Sequence, residues 1–369
     1  MGLFTLQYPY NSLSCVAKLI KISLTPTYHH TFFCLLETFS YFCRMNDIRV
    51  NIVNRSEELP DMTCNNFFHS KELFGIIERT SGQSPYMVIA TDCNNNVIGH
   101  LLAIVRRRGS LFPPYLFTQG RIYGEGEYAE GCNSEAVFGL MLSEITKKFK
   151  RRFCLFAEFS DISHKMFGYR YFRSNGYFCV HWQEVHNSLH SKPPYERLTA
   201  KARRRIEHAE QEGVSVRLAV NDDDVRCFYR ILKHSNRLSL RRLVPTYEQF
   251  LEMLVSKNAN VFVTVYEDKI IGGCACAYSQ GNAYLWYLAT RNKRYIHLHP
   301  DQITVWCAIT HAYEHGCQHF CFLDAGLPMR GNPFRDFILS FGGKPVAKYR
   351  WFRFSFPWLN RLFYWMFRD

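Results

Sequence analysis

One order of hydrophobic segments runs through this chain twice, and that recurrence restricts the fold more than any single motif. The first pass opens on an amphipathic stretch (SKELFGIIERT), then MVIATDC and VIGHLLAIVRRRG around an Asn-rich turn, and PYLFTQGRIY. The helix SEAVFGLMLSEITKKF follows, then RRFCLFAEF, a short helix in HKMFGYRYFRSNGY and FCVHWQEV. The second pass has the helices DDDVRCFYRILKHSNRL and TYEQFLEMLVS, then three strands in VFVTVYEDKIIGGCACAYSQGNAYLWYLAT, broken at Glu-Asp-Lys and Gln-Gly-Asn. The helix HPDQITVWCAITHAYEHG comes next, with Pro300 in its first turn and Gly316 closing it, followed by the strand HFCFLDAG. Strand period and helix period alternate in the same sequence in both passes, which predicts two halves of one architecture.

Between the passes lies SLHSKPPYERL, whose two prolines and small polar residues stop both helix and strand. A boundary near 190 therefore separates a first domain, 45–190, from a second, 191–357, with an aromatic, basic tail at 358–369. Residues 1–44 are rich in Cys, Phe, Tyr and Leu without either period, and patterning begins after Met45, so Met45 is expected to be the natural start. Their longest apolar stretch, TFFCLLETFSYFC, carries Glu37 and is too short to span a bilayer.

With 369 residues and 47% hydrophobic content, the chain has material for two domain cores. Its 45 Lys+Arg against 32 Asp+Glu favour anionic partners: tRNA, nucleotide-linked substrates or acidic lipid headgroups. The 14 cysteines are scattered, several of them inside apolar runs, as reduced buried thiols are, which points to the cytoplasm.

The most basic stretch is TAKARRRIEHAEQEGV. On a helix, Leu198, Ala202, Ile206 and Ala209 form an apolar stripe, with Lys201, Arg204 and His208 on one flank and Arg203 on the other. Split in this way and followed by Glu207, Glu210 and Glu212, the cations do not make the single outward face of a nucleic-acid recognition helix; a solvated, charged helix packed by its stripe is the competing reading. The pattern K-x-R-x-x-I-x-x-A-x-x-x-G-V over Lys201, Arg203, Ile206, Ala209, Gly213 and Val214 resembles the entry to the second domain of Fem-type transferases. These are tandem-GNAT enzymes that add amino acids to peptidoglycan precursors. The resemblance continues in FYRILKHSNR, KIIGGCACAY, LHPDQITVWCAITHAYEHGCQHFCFLDAG and NPFRDFILSFGG. It implies an α+β fold of two tandem GNAT-like domains, each a central, mostly antiparallel sheet flanked by helices.

The same resemblance implies a cytoplasmic N-acyltransferase acting on an amine of a bacterial cell-envelope precursor, peptidoglycan or capsular polysaccharide, that is nucleotide- or lipid-linked. It implies no tightly bound cofactor, only aminoacyl-tRNA or acyl-CoA as co-substrate. Lys201, Arg203 and Arg204 are the candidates to hold the acceptor diphosphate. Asp324, at the end of HFCFLDAG, is the candidate to orient or deprotonate the amine, against the plainer role of capping the turn before Gly326. Arg291, Lys293, Arg294 and His299 lead into a helix N-terminus, with His297 among them, and are candidates for donor or phosphate contacts. Asn332, Phe334, Phe341, Gly342 and Gly343 would shape the second cleft, the two phenylalanines being equally at home in a core. The R/Q-x-x-G-x-G/A loop by which ordinary GNAT enzymes cradle coenzyme A is missing after Thr290. In the first domain YGEGEYAEG supplies glycines but also Glu125, Glu127 and Glu130, which repel phosphate; a flexible, substrate-facing loop is expected there.

Other chemistries are less well supported. In HGCQHFC, Cys317, His319 and Cys321 would share one strand face about 7 Å apart, too far to close a tetrahedron around one metal, so no metal is expected. No Ser-His-Asp or Cys-His order stands out. The tail, with Arg350, Arg353, Arg361 and Arg368 among aromatics, suits peripheral contact with an anionic membrane on the cytoplasmic face or, alternatively, completes the second sheet and packs on the body. Two other functions share these features: a CoA-dependent N-acetyltransferase acting on an amino sugar, and a non-catalytic RNA- or membrane-binding protein on a degenerate GNAT pair.

Overall fold

In the first half the strands are β1 (Arg49–Val53), β2 (Gln83–Thr91), β3 (Val97–Leu111), β4 (Pro114–Tyr123), β5 (Glu127–Tyr128), β6 (Phe156–Ile162) and β7 (Phe178–Ser188); its helices are α1 (Lys71–Glu78), α2 (Ser134–Arg151) and α3 (Tyr169–Ser174). The computed structural model describes residues 48–111, 114–236, 244–291, 293–328 and 331–367. The expectation for residues 1–44 lies outside them, as does Arg368 of the tail.

The second half contributes α4 (Pro194–Arg197), α5 (Ala200–Gln211), β8 (Ser215–Leu218), α6 (Asp222–Ser235), α7 (Tyr247–Val255), β9 (Ala259–Tyr266), β10 (Lys269–Ser279) and β11 (Asn282–Thr290). It ends with α8 (Pro300–Glu314), β12 (His319–Gly326), α9 (Pro333–Leu339), β13 (Lys344–Phe354) and α10 (Pro357–Met366). The repeated element order is thus present, and the fold is α+β. The turns form where the sequence placed them: Glu267 and Asp268 (φ 47° and 57°) and Gln280 and Gly281 (φ 51° and 72°) take the left-handed pairs that tight hairpins need. One boundary differs. The strand expected from RRFCLFAEF starts only at Phe156, because α2 runs on to Arg151 and Phe153, at φ 53°, closes it with Cys154 N–H donating to the Phe149 carbonyl.

Instead of one sheet per half, the structure has one 13-stranded sheet with the order β1-β2-β3-β4-β6-β13-β7-β12-β11-β10-β9-β8, and β5 paired to β3. Each half gives its last strand to the other. β13 lies between β6 and β7, with Phe352 opposite Glu158 on one side and Arg350 opposite Val180 on the other. β7 in turn pairs β12, Val185 opposite Phe322. All pairings are antiparallel except β4 with β6 and β11 with β12. The exchange leaves neither half with an edge at the junction.

Helices cover both faces. On one, α1, α6 and α7 pack a core including Phe68, Leu102, Tyr123, Phe228, Phe250, Trp286 and Leu323. On the other, α5, α8 and α9 pack Val185, Ile206, Phe262, Val305, Phe322 and Phe341. The first half continues that second face, where Phe138 of α2 meets Phe159, and Phe172 of α3 stacks on Trp351 with centroids 4.5 Å apart. No helix among the described residues is long and apolar enough to cross a membrane.

Candidate active site

Among the described residues the two parallel pairings set up two forks, of which only one is open. In the second half, β11 and β12 are paired from Asn282↔His319 to Leu285↔Phe322. Beyond that point β11 continues to Thr290 along β10, while β12, paired with β7 from His319↔Ser188, stays with it to Gly326↔Gln183 across a register shift. The strands part, leaving the end of β11 and Asp324 on separate arms. In the first half, β4 and β6 pair from Gln119↔Phe156 to Tyr123↔Ser160, and the next loop is stitched across the gap. Gly124 N–H donates to the Ser160 carbonyl (2.7 Å), and the Glu125 carboxylate accepts from the Ser163 amide and hydroxyl (3.0 and 2.8 Å). Glu127 accepts from the Asn65 and Asn66 amides (2.9 and 2.8 Å). YGEGEYAEG is therefore a tied closure instead of the flexible, substrate-facing loop expected, since Glu125 and Glu127 find backbone donors while Glu130 is exposed.

On the β11 arm a cavity of about 770 Å³ opens between α6 and the loop after Thr290, lined by Arg230, His234, Arg291, Lys293 and Arg294 together with Ile231 and Ser235. Three of the four predicted donor contacts meet here, joined by Arg230 and His234 of α6, which sequence reasoning did not single out. His299 does not join them: its ring stands 6.3 Å from that of His208, and burial and Arg205 lower its pKa. The helix N-terminus is not the anion cradle expected either. Pro300 has no N–H, and the Gln302 amide donates to the His299 carbonyl and the Asp301 carboxylate (3.0 Å each). An anion in this cavity meets side-chain charge.

On the β12 arm, Asp324 belongs to a buried charged cluster at the centre of the shared sheet. Arg350 reaches Glu158 (3.0 Å), the Leu323 carbonyl (2.7 Å) and Asp324 (3.7 Å), with its guanidinium 4.1 Å from the Trp182 ring centre. Arg121 approaches Glu158 to 3.7 Å and lies over Tyr123. Burial works against its charge, but Glu158, Tyr123 and Asp324 hold its pKa above the usual value. The Nε–H groups of Arg121 and Arg350 are buried without a hydrogen-bond partner among the described residues, so the cluster retains donor capacity. Asn332 caps α9 and donates to the Ala325 carbonyl (2.8 Å), while Arg335 bonds Gln183 (2.8 Å) and the Leu327 carbonyl (3.2 Å), so both fix the end of β12.

Counted from the first residue of each parallel pairing, Phe156 and His319, Asp161 and Asp324 stand at the same place, five residues further along each strand. Asp161, at φ 61°, binds Lys348 at 2.7 Å. Glu184 lies near them and bonds His186 at 3.1 Å. Burial, reinforced by Asp161, pushes the Glu184 carboxyl up to about 7, against the opposing pull of His186 and Lys348. Because this folded-state pKa lies above the unfolded value, stability falls as pH rises from about 4.5 to 7. Glu184→Gln should flatten that fall, by an amount on the order of 3 kcal/mol; urea melts at pH 4.5 and 7.5 measure it.

The acceptor residues are not brought to Asp324. The apolar stripe of α5 (Ala202, Ile206, Ala209) is buried, and Ala202 and Ile206 join the Val305 and Phe322 core on the sheet face opposite Arg350 and Glu158. Lys201 and Arg204 are exposed there, and Arg203 folds over Tyr195 with its guanidinium 4.5 Å from the ring centre. Phe341 is buried against Phe322 and Phe337, and a Cβ at Gly342 or Gly343 would collide with Arg197 or Asn187, so these three pack instead of lining a cleft. Phe334 is 40% exposed.

Residues 197–332 match the family model described as Acetyltransferase (GNAT) domain. Over 86% of this chain and 100% of its own, FemX superposes with a TM-score of 0.54 at 9% identity. A tandem GNAT protein from the clavulanic acid biosynthesis pathway does so over 84% and 99% (TM-score 0.52, 11% identity). The chain has the tandem GNAT fold. L-PGS from Bacillus licheniformis shares it, with a TM-score of 0.50 at 13% identity over 80% of this chain and 92% of that one. No curated protein matches by sequence. The likeness to Fem-type tandem GNAT proteins read from the motifs is met at the level of fold, and the match in the second half falls on the half whose fork is open.

Proposed function

We propose that this tandem GNAT protein is an N-acyltransferase that moves an aminoacyl or acyl group onto an amine of a cell-envelope precursor, peptidoglycan or capsular polysaccharide. The observation that carries this reading is the open fork, with a cavity lined by four Lys and Arg side chains and His234 on one arm and Asp324 beside two guanidiniums on the other. The cavity takes the phosphates of the donor, aminoacyl-tRNA or acyl-CoA, through charge-assisted contacts. Asp324 hydrogen-bonds the attacking amine and accepts its proton as the C–N bond forms and the ester or thioester bond breaks, the leaving oxygen or sulfur taking up a proton. Unfilled Arg121 and Arg350 donors stabilise the developing oxyanion or hold an acceptor oxygen. Positioning the two reactants supplies the rest, and no enzyme nucleophile is needed.

Purified chain incubated with charged tRNA or with acyl-CoA, and with a nucleotide-linked muramyl peptide or amino sugar, tests the reading by product mass. No product with any donor, together with tight salt-sensitive RNA binding, would favour the non-catalytic alternative. The double variant Arg291→Glu/Arg294→Glu should raise KM for the donor about tenfold or more, one charge-assisted contact corresponding to about 1.5–3 kcal/mol. Steady-state kinetics should leave kcat within a fewfold.

A further inference from the structure

We propose that α10 and the turn that follows α2 together form a surface that docks on an anionic lipid bilayer. Three segments are joined there. The Ser355 amide donates to the Leu155 carbonyl (2.9 Å) and its hydroxyl to the Cys154 carbonyl, which sets the start of α10 beside the α2 turn. On its other side Asn360 donates to the Gly176 carbonyl (2.9 Å), and the Arg173 guanidinium lies 4.3 Å from the Tyr364 ring centre.

The helix is apolar on two sides. Phe363, Tyr364 and Phe367 face inward, where Phe363 and Phe367 stack on Phe178. Outward, Trp358 is 68% and Trp365 71% exposed, with Leu362 and Met366 between and beside them and Phe356 at the cap. A surface helix needs only one apolar stripe to pack, so the second is unexplained by the fold. Phe153 adds an independent anchor: it is 83% exposed at the tip of the adjoining turn, in the left-handed conformation that a phenylalanine rarely adopts.

Charge selects the occupant. Lys150, Arg151, Arg152, Arg170 and Arg361 are exposed on these segments, and residues 145–155, 165–176 and 353–367 contain no Asp or Glu, while Lys147 is paired with Glu144 at 2.6 Å. Aromatics at a rim rich in cations match the interface of a bilayer with acidic headgroups, where Trp and Phe sit at headgroup depth and Lys and Arg meet phosphate.

The full chain should co-sediment with vesicles of phosphatidylcholine containing 30% phosphatidylglycerol, weakly or not at all with phosphatidylcholine alone, and less as salt rises. Trp358→Ser/Trp365→Ser and, separately, Phe153→Ser should each cut the bound fraction severalfold, and Arg151→Glu/Arg152→Glu should remove the preference for anionic lipid. Thermal melts of each variant in the absence of lipid report folding, and Phe153→Ser, at a solvent-exposed turn, provides a test that leaves α10 intact. Wild-type chain that stays in the supernatant with anionic vesicles overturns the proposal. So does binding unchanged in all three variants, or a concentration-dependent dimer abolished by the tryptophan variant, which would assign the face to a second copy. Turnover of soluble substrates is not involved in any of these readouts, so the docking surface stands or falls apart from the catalytic reading.

Discussion

Arg350→Met is expected to lower the unfolding free energy by about 3–5 kcal/mol, the largest stability loss among the single changes considered. Arg350 sits on β13, a strand supplied by the second half, and its partners come from both halves. It bonds Glu158 of β6 at 3.0 Å and rests on Trp182 of β7, while binding the Leu323 carbonyl of β12 at 2.7 Å. Methionine fills most of the volume but leaves Glu158, 3% exposed, with Arg121 at 3.7 Å as its remaining cation. The Leu323 carbonyl would lose its donor as well. Because the residue ties the exchanged strands to each other, the urea transition should move as a whole, with the midpoint shifted and the slope kept. Arg353→Met is the control. That residue is half-buried and donates to a single carbonyl, of Asn175, at 3.1 Å, so its loss should cost about 1 kcal/mol. A midpoint for Arg350→Met equal to that of wild type would show that the strand exchange does not depend on this cluster.

Arg350 also marks the limit of what could be read from residues alone. KYRWFRF mixes basic and aromatic side chains on both faces of a strand, and the sequence groups Arg350 with Arg353, Arg361 and Arg368, either at an anionic membrane or on a strand that completes the second sheet. The partner of Arg350, Glu158, lies 192 residues earlier, and a buried pair at that separation leaves no local signature. The strand exchange escaped for a related reason. β7 and β13 both read as strands, so each could complete either half, and only the register with Val185, Phe322 and Glu158 decides. Elements defined by short-range physics were legible: the proline in the first turn of α8, the left-handed turns at Asp268 and Gln280, the periodicity of α5. Of the candidate site, Asp324 was singled out because it ends a strand and the resemblance places an aspartate there. Lys201 and Arg203 were drawn toward it by motif order, whereas the apolar stripe of their own helix holds them on the other sheet face. Arg230 and His234 of α6 were missed because they meet Arg291 and Arg294 only after α6 folds over β11.

Asp324→Asn should reduce kcat about 10²- to 10⁴-fold, the range for losing a positioned proton acceptor, while the donor KM changes little. Asparagine keeps the shape and leaves Arg350 with Glu158 and the Leu323 carbonyl, and since Asp324 stands at 3.7 Å from Arg350, the stability change should stay near 1 kcal/mol or less. The informative contrast is Asp161→Asn. Asp161 occupies the corresponding place in the first half, but Lys348 holds it at 2.7 Å and the Glu125–Ser163 bonds close the fork in front of it. Its loss should cost stability, because Lys348, 15% exposed at its side chain, would lose its closest carboxylate, while turnover stays within a fewfold of wild type. If one fork has kept an opening for substrate and the other has become a joint, the two aspartates must separate in this way, one reporting in kcat and the other in the melt. Equal losses of kcat in both variants, or an Asp324→Asn enzyme with full activity, would mean that the chemistry does not take place at the open fork.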